Sequence, residues 1–259
     1  PKEVDFKYLD GNIDVNAAMA TFVEAQRKAE QEAAAGNGVN AVREIGYDGK
    51  MRNLAYSFEY GPVHFLIFSA EHDFTEGSQQ YEFMQKDLKS VDRERTPWVI
   101  IAAHRPIYCT SIGCSLYDNH RQYMDTSLRK SVEPLMTKYK VDVGLWGHVH
   151  TYERTCAIDN YVCNEDENGS PVNVIIGMAG HVYNRQWAPF AGTVDKQGKV
   201  HNLTEVKSDF HHSQPDWAVF RTMTFGYTHF VANATHFDFK FYGNKKMTVH
   251  DHFTLVKKH

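Results

Sequence analysis

The segment Gly147-His148-Val149-His150-Thr151-Tyr152-Glu153-Arg154 follows directly on the apolar run from Val141 to Trp146. No other stretch constrains the chain as tightly. The run reads as a buried strand, and the glycine lets the backbone leave it at once. Two imidazoles two residues apart lie on one side of an extended backbone. They face the space just beyond the strand ends, where open α/β sheets place their ligands. A second apolar run, Pro97-Trp98-Val99-Ile100-Ile101-Ala102-Ala103, also ends in a histidine, His104, followed by Arg105-Pro106. Neutral imidazole is the commonest side-chain ligand for metals such as zinc and iron. A metal site built from His104, His148 and His150 is therefore the leading expectation. With 15 histidines in the chain, some such pairs arise by chance. His104 alone reads as an ordinary strand-end residue and gains meaning only from the neighbouring strand.

The rest of the chain supplies a layered α/β frame. Leu54–Tyr60 alternates apolar and polar residues, Gly61-Pro62 makes a turn, and Val63–Ser69 reads as a more buried strand, completing a hairpin. Gln80–Val91 (with Tyr81, Met84, Leu88 and Val91 at helical spacing) and Leu128–Tyr139 read as amphipathic helices leading into the two histidine-bearing strands. Strand, helix, strand, helix, strand is the order of an α/β sheet. Asn16–Ala35 reads as a surface helix ended by Gly36-Asn37-Gly38. Val172–Met178 is a further apolar run, ending in Ala179-Gly180-His181, and Asn184–Gln214 reads as a surface loop. Thr222–Asn233, Thr235–Tyr242 and Met247–Val256 read as closing antiparallel strands, with Gly243-Asn244 at the last turn.

The 259 residues suffice for one large domain or two small ones. A net charge of −4 with no basic stripe argues against a nucleic-acid partner. The same lack of a basic stripe argues against an anionic membrane as partner, and the apolar runs are strand-sized, far short of a membrane span. The chain opens at Pro1 without an initiating methionine, so the expectation is a processed chain or a fragment. Four cysteines fall as two close pairs, Cys109 with Cys114 and Cys156 with Cys163. Four cysteines admit three pairings; the two local ones are favoured, since each pins a loop beside the histidines. Three sequons, at Asn168, Asn202 and Asn233, point with the cysteines to a secreted protein or one in the lumen of the secretory pathway. Arg105 and Arg154 are candidates for binding phosphate or for pairing with carboxylates, and Glu153-Arg154 reads as a structural pair.

The phrase from Trp98 to Pro106, then Lys140-Val141-Asp142-Val143 into Gly147–Arg154, resembles the C-terminal half of the purple acid phosphatases, which are calcineurin-like metallophosphoesterases. Pro215-Asp216-Trp217-Ala218-Val219-Phe220-Arg221 and Phe225-Gly226-Tyr227 resemble that family's terminal region. The resemblance implies a β-sandwich flanked by helices and lacking its N-terminal half. Residues 1–160 would belong to the metallophosphoesterase domain, and 161–259 would complete the second sheet. It implies a ferric ion beside zinc, manganese or a second iron, acting on phosphate monoesters. His104 and His148 would bind the divalent metal and His150 the iron, and His120 would match the proton-donating histidine. The loop from Cys109 to Asn119 is longer than the common plant pattern, which loosens the match at His120. The family's aspartate ligands and its GDxxY and GNHE runs do not stand in this sequence; Asp10-Gly11-Asn12-Ile13-Asp14 only echoes the last. Three histidines cannot hold two metals, so the chain alone is expected to be poorly active. A catalytically silent metal- or phosphate-binding fragment and a single-zinc hydrolase remain as alternatives, and the oligomeric state stays open.

Overall fold

The structure, a computed structural model, describes residues 43–44, 54–111, 121–164, 169–181, 193–194, 200–201 and 214–257. The helix read over Asn16–Ala35 lies outside them, as do His120, Cys114, Asn168 and Asn202. The first half of the chain gives β1 (Arg43–Glu44), β2 (Tyr56–Tyr60), β3 (Val63–Ile67), α1 (Gln79–Ser90), β4 (Trp98–Ala103), α2 (Arg121–Lys138) and β5 (Val143–Trp146). There follow β6 (Tyr152–Asp159), β7 (Val162–Cys163), β8 (Val172–Ile176) and the short pair β9 (Thr193–Val194) and β10 (Val200–His201). The chain closes with β11 (Ala218–Thr222), β12 (Gly226–Ala232), β13 (His236–Gly243) and β14 (Thr248–Val256).

Eight of these strands form a sheet in the order β1-β2-β3-β4-β5-β8-β6-β11, and β7 pairs with β6 as the ninth. The centre, β3-β4-β5-β8, is parallel, and both flanks are antiparallel. A strand in such a centre is covered on both faces and reads as a continuous apolar run. β4 shows it: Val99 and Ile101 enter one core with Met84, Leu88, Leu128, Val132 and Trp146. Trp98 and Ile100 enter a second core with Phe237, Phe239 and Phe241 of β13. The helices therefore cover one face, and the antiparallel meander β12-β13-β14 covers the other. Helix α1 starts where Ser78 accepts the Tyr81 amide at 3.1 Å, and it turns Met84 and Leu88 inward.

Several boundaries depart from the sequence reading. Helix α2 begins at Arg121, earlier than the apolar spacing from Leu128 indicated. The strand read as Thr222–Asn233 is two strands in two sheets. Thr222 ends β11, which pairs with β6, whereas Gly226 starts β12. A side chain on Gly226 would stand 2.1 Å from the Tyr242 carbonyl, so only glycine enters the meander there. The stretch Asn184–Gln214 contains the β9–β10 pair rather than loop alone. Strand β6, which contributes eight residues next to β8, has no counterpart in the sequence reading.

Candidate metal centre

Strand register assembles the site. Ala103 of β4 pairs with Trp146 of β5, so the two parallel strands end level. The Gly147 amide then donates to the His104 carbonyl at 3.0 Å, which sets His104 and His148 side by side. His148 has φ 63°, in the left-handed region that is uncommon for residues other than glycine but that histidine, like asparagine and aspartate, enters more readily than most. Two tight turns follow, with the Val149 amide on the Gly147 carbonyl and the Thr151 amide on the Val149 carbonyl, at 2.7 and 2.8 Å. They carry the chain from β5 over the end of β8 to reach β6. Gly177, just after β8, permits this crossing: a Cβ there would lie 1.9 Å from the Val149 carbonyl oxygen.

The histidines fall into two pairs. His148 Nδ1 lies 3.1 Å from His104 Nε2, with the rings edge to face and their centroids 4.9 Å apart. His150 instead lies against His181, from the loop after β8, at 4.6 Å between centroids. Two nitrogens on one zinc ion, each about 2.0–2.1 Å from the metal at a tetrahedral angle, stand about 3.3 Å apart. The His104–His148 spacing therefore fits two ligands of one ion with a movement of a few tenths of an ångström. Among the described residues, no three histidine, cysteine, aspartate or glutamate side chains form a group able to hold a metal. The three predicted ligands are thus neighbours along the mouth, and two of them converge.

Arg105 is engaged by Glu71, donating from Nε and Nη2 at 2.7 and 3.2 Å. The Arg105 hydrogen bond holds the Glu71 carboxyl below its usual range, opposed by partial burial and reinforced by the Arg105 charge. Of the two uses open to Arg105, pairing with a carboxylate is the one observed. Glu153 and Arg154 do not pair with one another; they leave β6 on opposite faces. Glu153 is buried and accepts the Thr110 amide and hydroxyl, both at 2.7 Å, and the Thr151 hydroxyl at 3.0 Å. It ties the chain beyond His104 to the turn carrying His150. Burial pushes its carboxyl up, against those hydrogen bonds. Arg154 crosses to β14 and grips Asp251 with two bonds of 2.6 and 2.8 Å, while the Tyr152 hydroxyl donates to the same carboxylate at 2.8 Å.

Cys156 and Cys163 form a disulfide across the β6–β7 hairpin, with Cα atoms 5.7 Å apart, which is one of the two favoured local pairings. Cys114, the partner expected for Cys109, lies outside the described residues. The hairpin turns on Asn160 and Tyr161, at φ 48° and 64°. Glu133 of α2 accepts the Asn160 amide, the Tyr108 hydroxyl and the Arg129 guanidinium. Asn233 is exposed at the β12–β13 turn, where its side-chain oxygen accepts the amides of Thr235 and His236 at 2.9 and 2.8 Å. The signal missed in the sequence was Glu71, a loop residue whose role shows only once Arg105 is placed.

The profile of the calcineurin-like phosphoesterases matches residues 7–152, more than half of the chain. That of the iron/zinc purple acid phosphatase-like protein C matches residues 170–252. The chain belongs to the purple acid phosphatase family of calcineurin-like phosphoesterases. Among its purple acid phosphatase relatives, "Probable inactive purple acid phosphatase 9" of Arabidopsis thaliana is 40% identical over 204 residues, which cover 77% of this chain and 28% of the relative. "Purple acid phosphatase 18" of the same plant is 32% identical, over 73% of this chain and 36% of the relative. The structure of a purple acid phosphatase from yellow lupin (Lupinus luteus) seeds aligns with a TM-score of 0.59 and 27% identity, covering 79% of this chain and 33% of the lupin one. The chain thus spans about a third of the length of these three proteins. It has the layered fold expected of the family.

Proposed function

We propose that this chain carries the histidine half of a two-metal centre that hydrolyses phosphate monoesters, with His104 and His148 on the divalent ion (zinc, manganese or iron) and His150 on ferric iron. The observation that carries this reading is the 3.1 Å approach of His148 Nδ1 to His104 Nε2 at level strand ends. When bound, such a metal pair polarises the phosphate ester and provides a hydroxide nucleophile. The chain's own groups bind and orient. Arg105 presents a planar fork suited to a phosphate, which competes with Glu71 for it. His120 stands as the proton donor to the leaving oxygen, and the carboxylate ligands come from outside the described residues. Secretion with a glycan on the exposed Asn233, alongside those at Asn168 and Asn202, belongs to the same reading.

A catalytically silent module is the second reading. It is favoured by the sequence, which has no GDxxY or GNHE run to supply the carboxylate and asparagine ligands. The "probable inactive" in the name of the Arabidopsis relative points the same way for that protein. Hydrolysis of p-nitrophenyl phosphate by the 259-residue chain, supplied with iron and zinc, separates the two. The enzyme reading expects weak turnover that disappears in both His104→Ala and His148→Ala. A folded, metal-loaded chain with no turnover, or turnover indifferent to either substitution, contradicts it.

A further inference from the structure

A cavity of about 580 Å³ opens at the end of the parallel strands opposite the histidines. Pro97, just before β4, and Tyr139 and Lys140, just before β5, line it, whereas His104 and Gly147 follow the last residues of those strands. Its size lies in the range of about 300–1,000 Å³ usual for small-molecule sites. Four residues with cationic side chains line it, Arg93, Lys138, Lys140 and Lys257, against one with a carboxylate, Glu94. Asp142, beneath them, binds both Arg93 and Lys257. Arg93 is further fixed by the carbonyls of Pro97, Tyr139 and Lys140 at 3.0, 2.8 and 2.5 Å, which makes it part of a rigid wall. Lys257 rests over the Trp98 ring at 4.7 Å. Lys138 and Lys140 make no ion pair among the described residues, and Lys140 is held at φ 53°. Leu88, Val91 and Ala234 give the same cavity an apolar wall.

We infer that this cavity binds a small organic anion that has an apolar body. Its charged head would sit between Lys138 and Lys140, and its body would lie against Leu88, Val91 and Ala234. A bare inorganic ion uses only half of these features, because the apolar wall then stays in contact with water. Neither the strand-end histidines nor their metal take part, so the site is independent of the phosphatase reading.

The test is titration of the 259-residue chain with naphthalene-1-sulfonate, followed by the amide NMR signals of Val91, Tyr139 and Ala234. The expected result is saturable shifts at these residues, unchanged in His148→Ala and weakened at least tenfold in Lys138→Glu/Lys140→Glu. Inorganic sulfate should bind at least tenfold more weakly. Shifts confined to the histidine mouth, binding indifferent to charge reversal, or sulfate binding as tightly as the aryl sulfonate would each overturn the inference. Circular dichroism checks the fold of the reversed variant. If it is unfolded, Lys138→Gln/Lys140→Gln gives the same reading with less charge change.

Discussion

The two faces of the nine-stranded sheet are held by different physics. On the meander side the contact is aromatic: Trp98 meets Phe237 at 5.6 Å between centroids, Tyr152 stacks on Phe241 at 4.2 Å, and Phe230 stacks on Phe237 at 4.8 Å. Asp251, gripped by Tyr152 and Arg154, is the carboxylate buried there among the described residues. On the helix side, apolar packing is interrupted by buried polar networks. Ser57 and His64 both bond Asp87 of α1, at 2.5 and 2.8 Å, and Tyr108, Arg129 and the β6–β7 turn converge on Glu133. The difference teaches where the site gets its order. Aromatic contact distributes stabilisation over area and is indifferent to single loops. A buried polar network fixes particular segments, because each unpaired member is costly. The networks at Glu133 and Glu153 hold the segments that follow His104 and lead from His150.

That contrast can be broken by substitution. Phe237→Ala, which empties a fully buried position of the meander face, should cost about 3–5 kcal/mol in urea unfolding. A loss below about 1 kcal/mol would mean that the meander does not carry that face. Arg129→Met leaves the Glu133 carboxylate buried without its cation and should cost about 3 kcal/mol. It should also loosen the chain beyond His104, read as faster amide exchange at Thr110. If stability falls with no change at Thr110, the network does not serve the site.

The third test concerns pH. Burial alone would raise the Asp251 carboxyl, but the hydrogen bonds and charge of Arg154 outweigh it and hold the group below its usual range. A depressed native value means that its stabilisation is present above the unfolded value of about 3.9 and is lost as pH falls through the lower native one. Asp251→Asn should therefore flatten the stability profile below about pH 4. A profile as steep as that of the parent chain would place the acid sensitivity elsewhere. The smallest effect is expected at the α1 cap, where Ser78→Ala should cost about 1 kcal/mol by thermal unfolding.

The sequence made the central strands legible because burial on both faces leaves continuous apolar runs, as in Trp98–Ala103. It also made the histidine mouth legible, since each run ends in a histidine. What it concealed depended on partners distant along the chain. Strand β6 looks polar at Glu153 and Arg154, yet Glu153 is buried against Thr110 and Arg154 reaches Asp251, 97 residues away. The β6–β7 turn was hidden because Tyr161 occupies a left-handed position where asparagine–glycine is the usual signal. The separation of His150 from His104 and His148 could not be read either. It follows from the two tight turns at Val149 and from His181, which arrives on the loop after β8.

The central claim is that His104 and His148 are co-ligands of one divalent ion. Zinc bound per chain, measured by elemental analysis after dialysis, tests it directly when the parent is compared with His104→Ala and His148→Ala. The account predicts at least one zinc per parent chain and the loss of that zinc in each single variant. Zinc retained in full by either variant, or none bound by the folded parent, would contradict it.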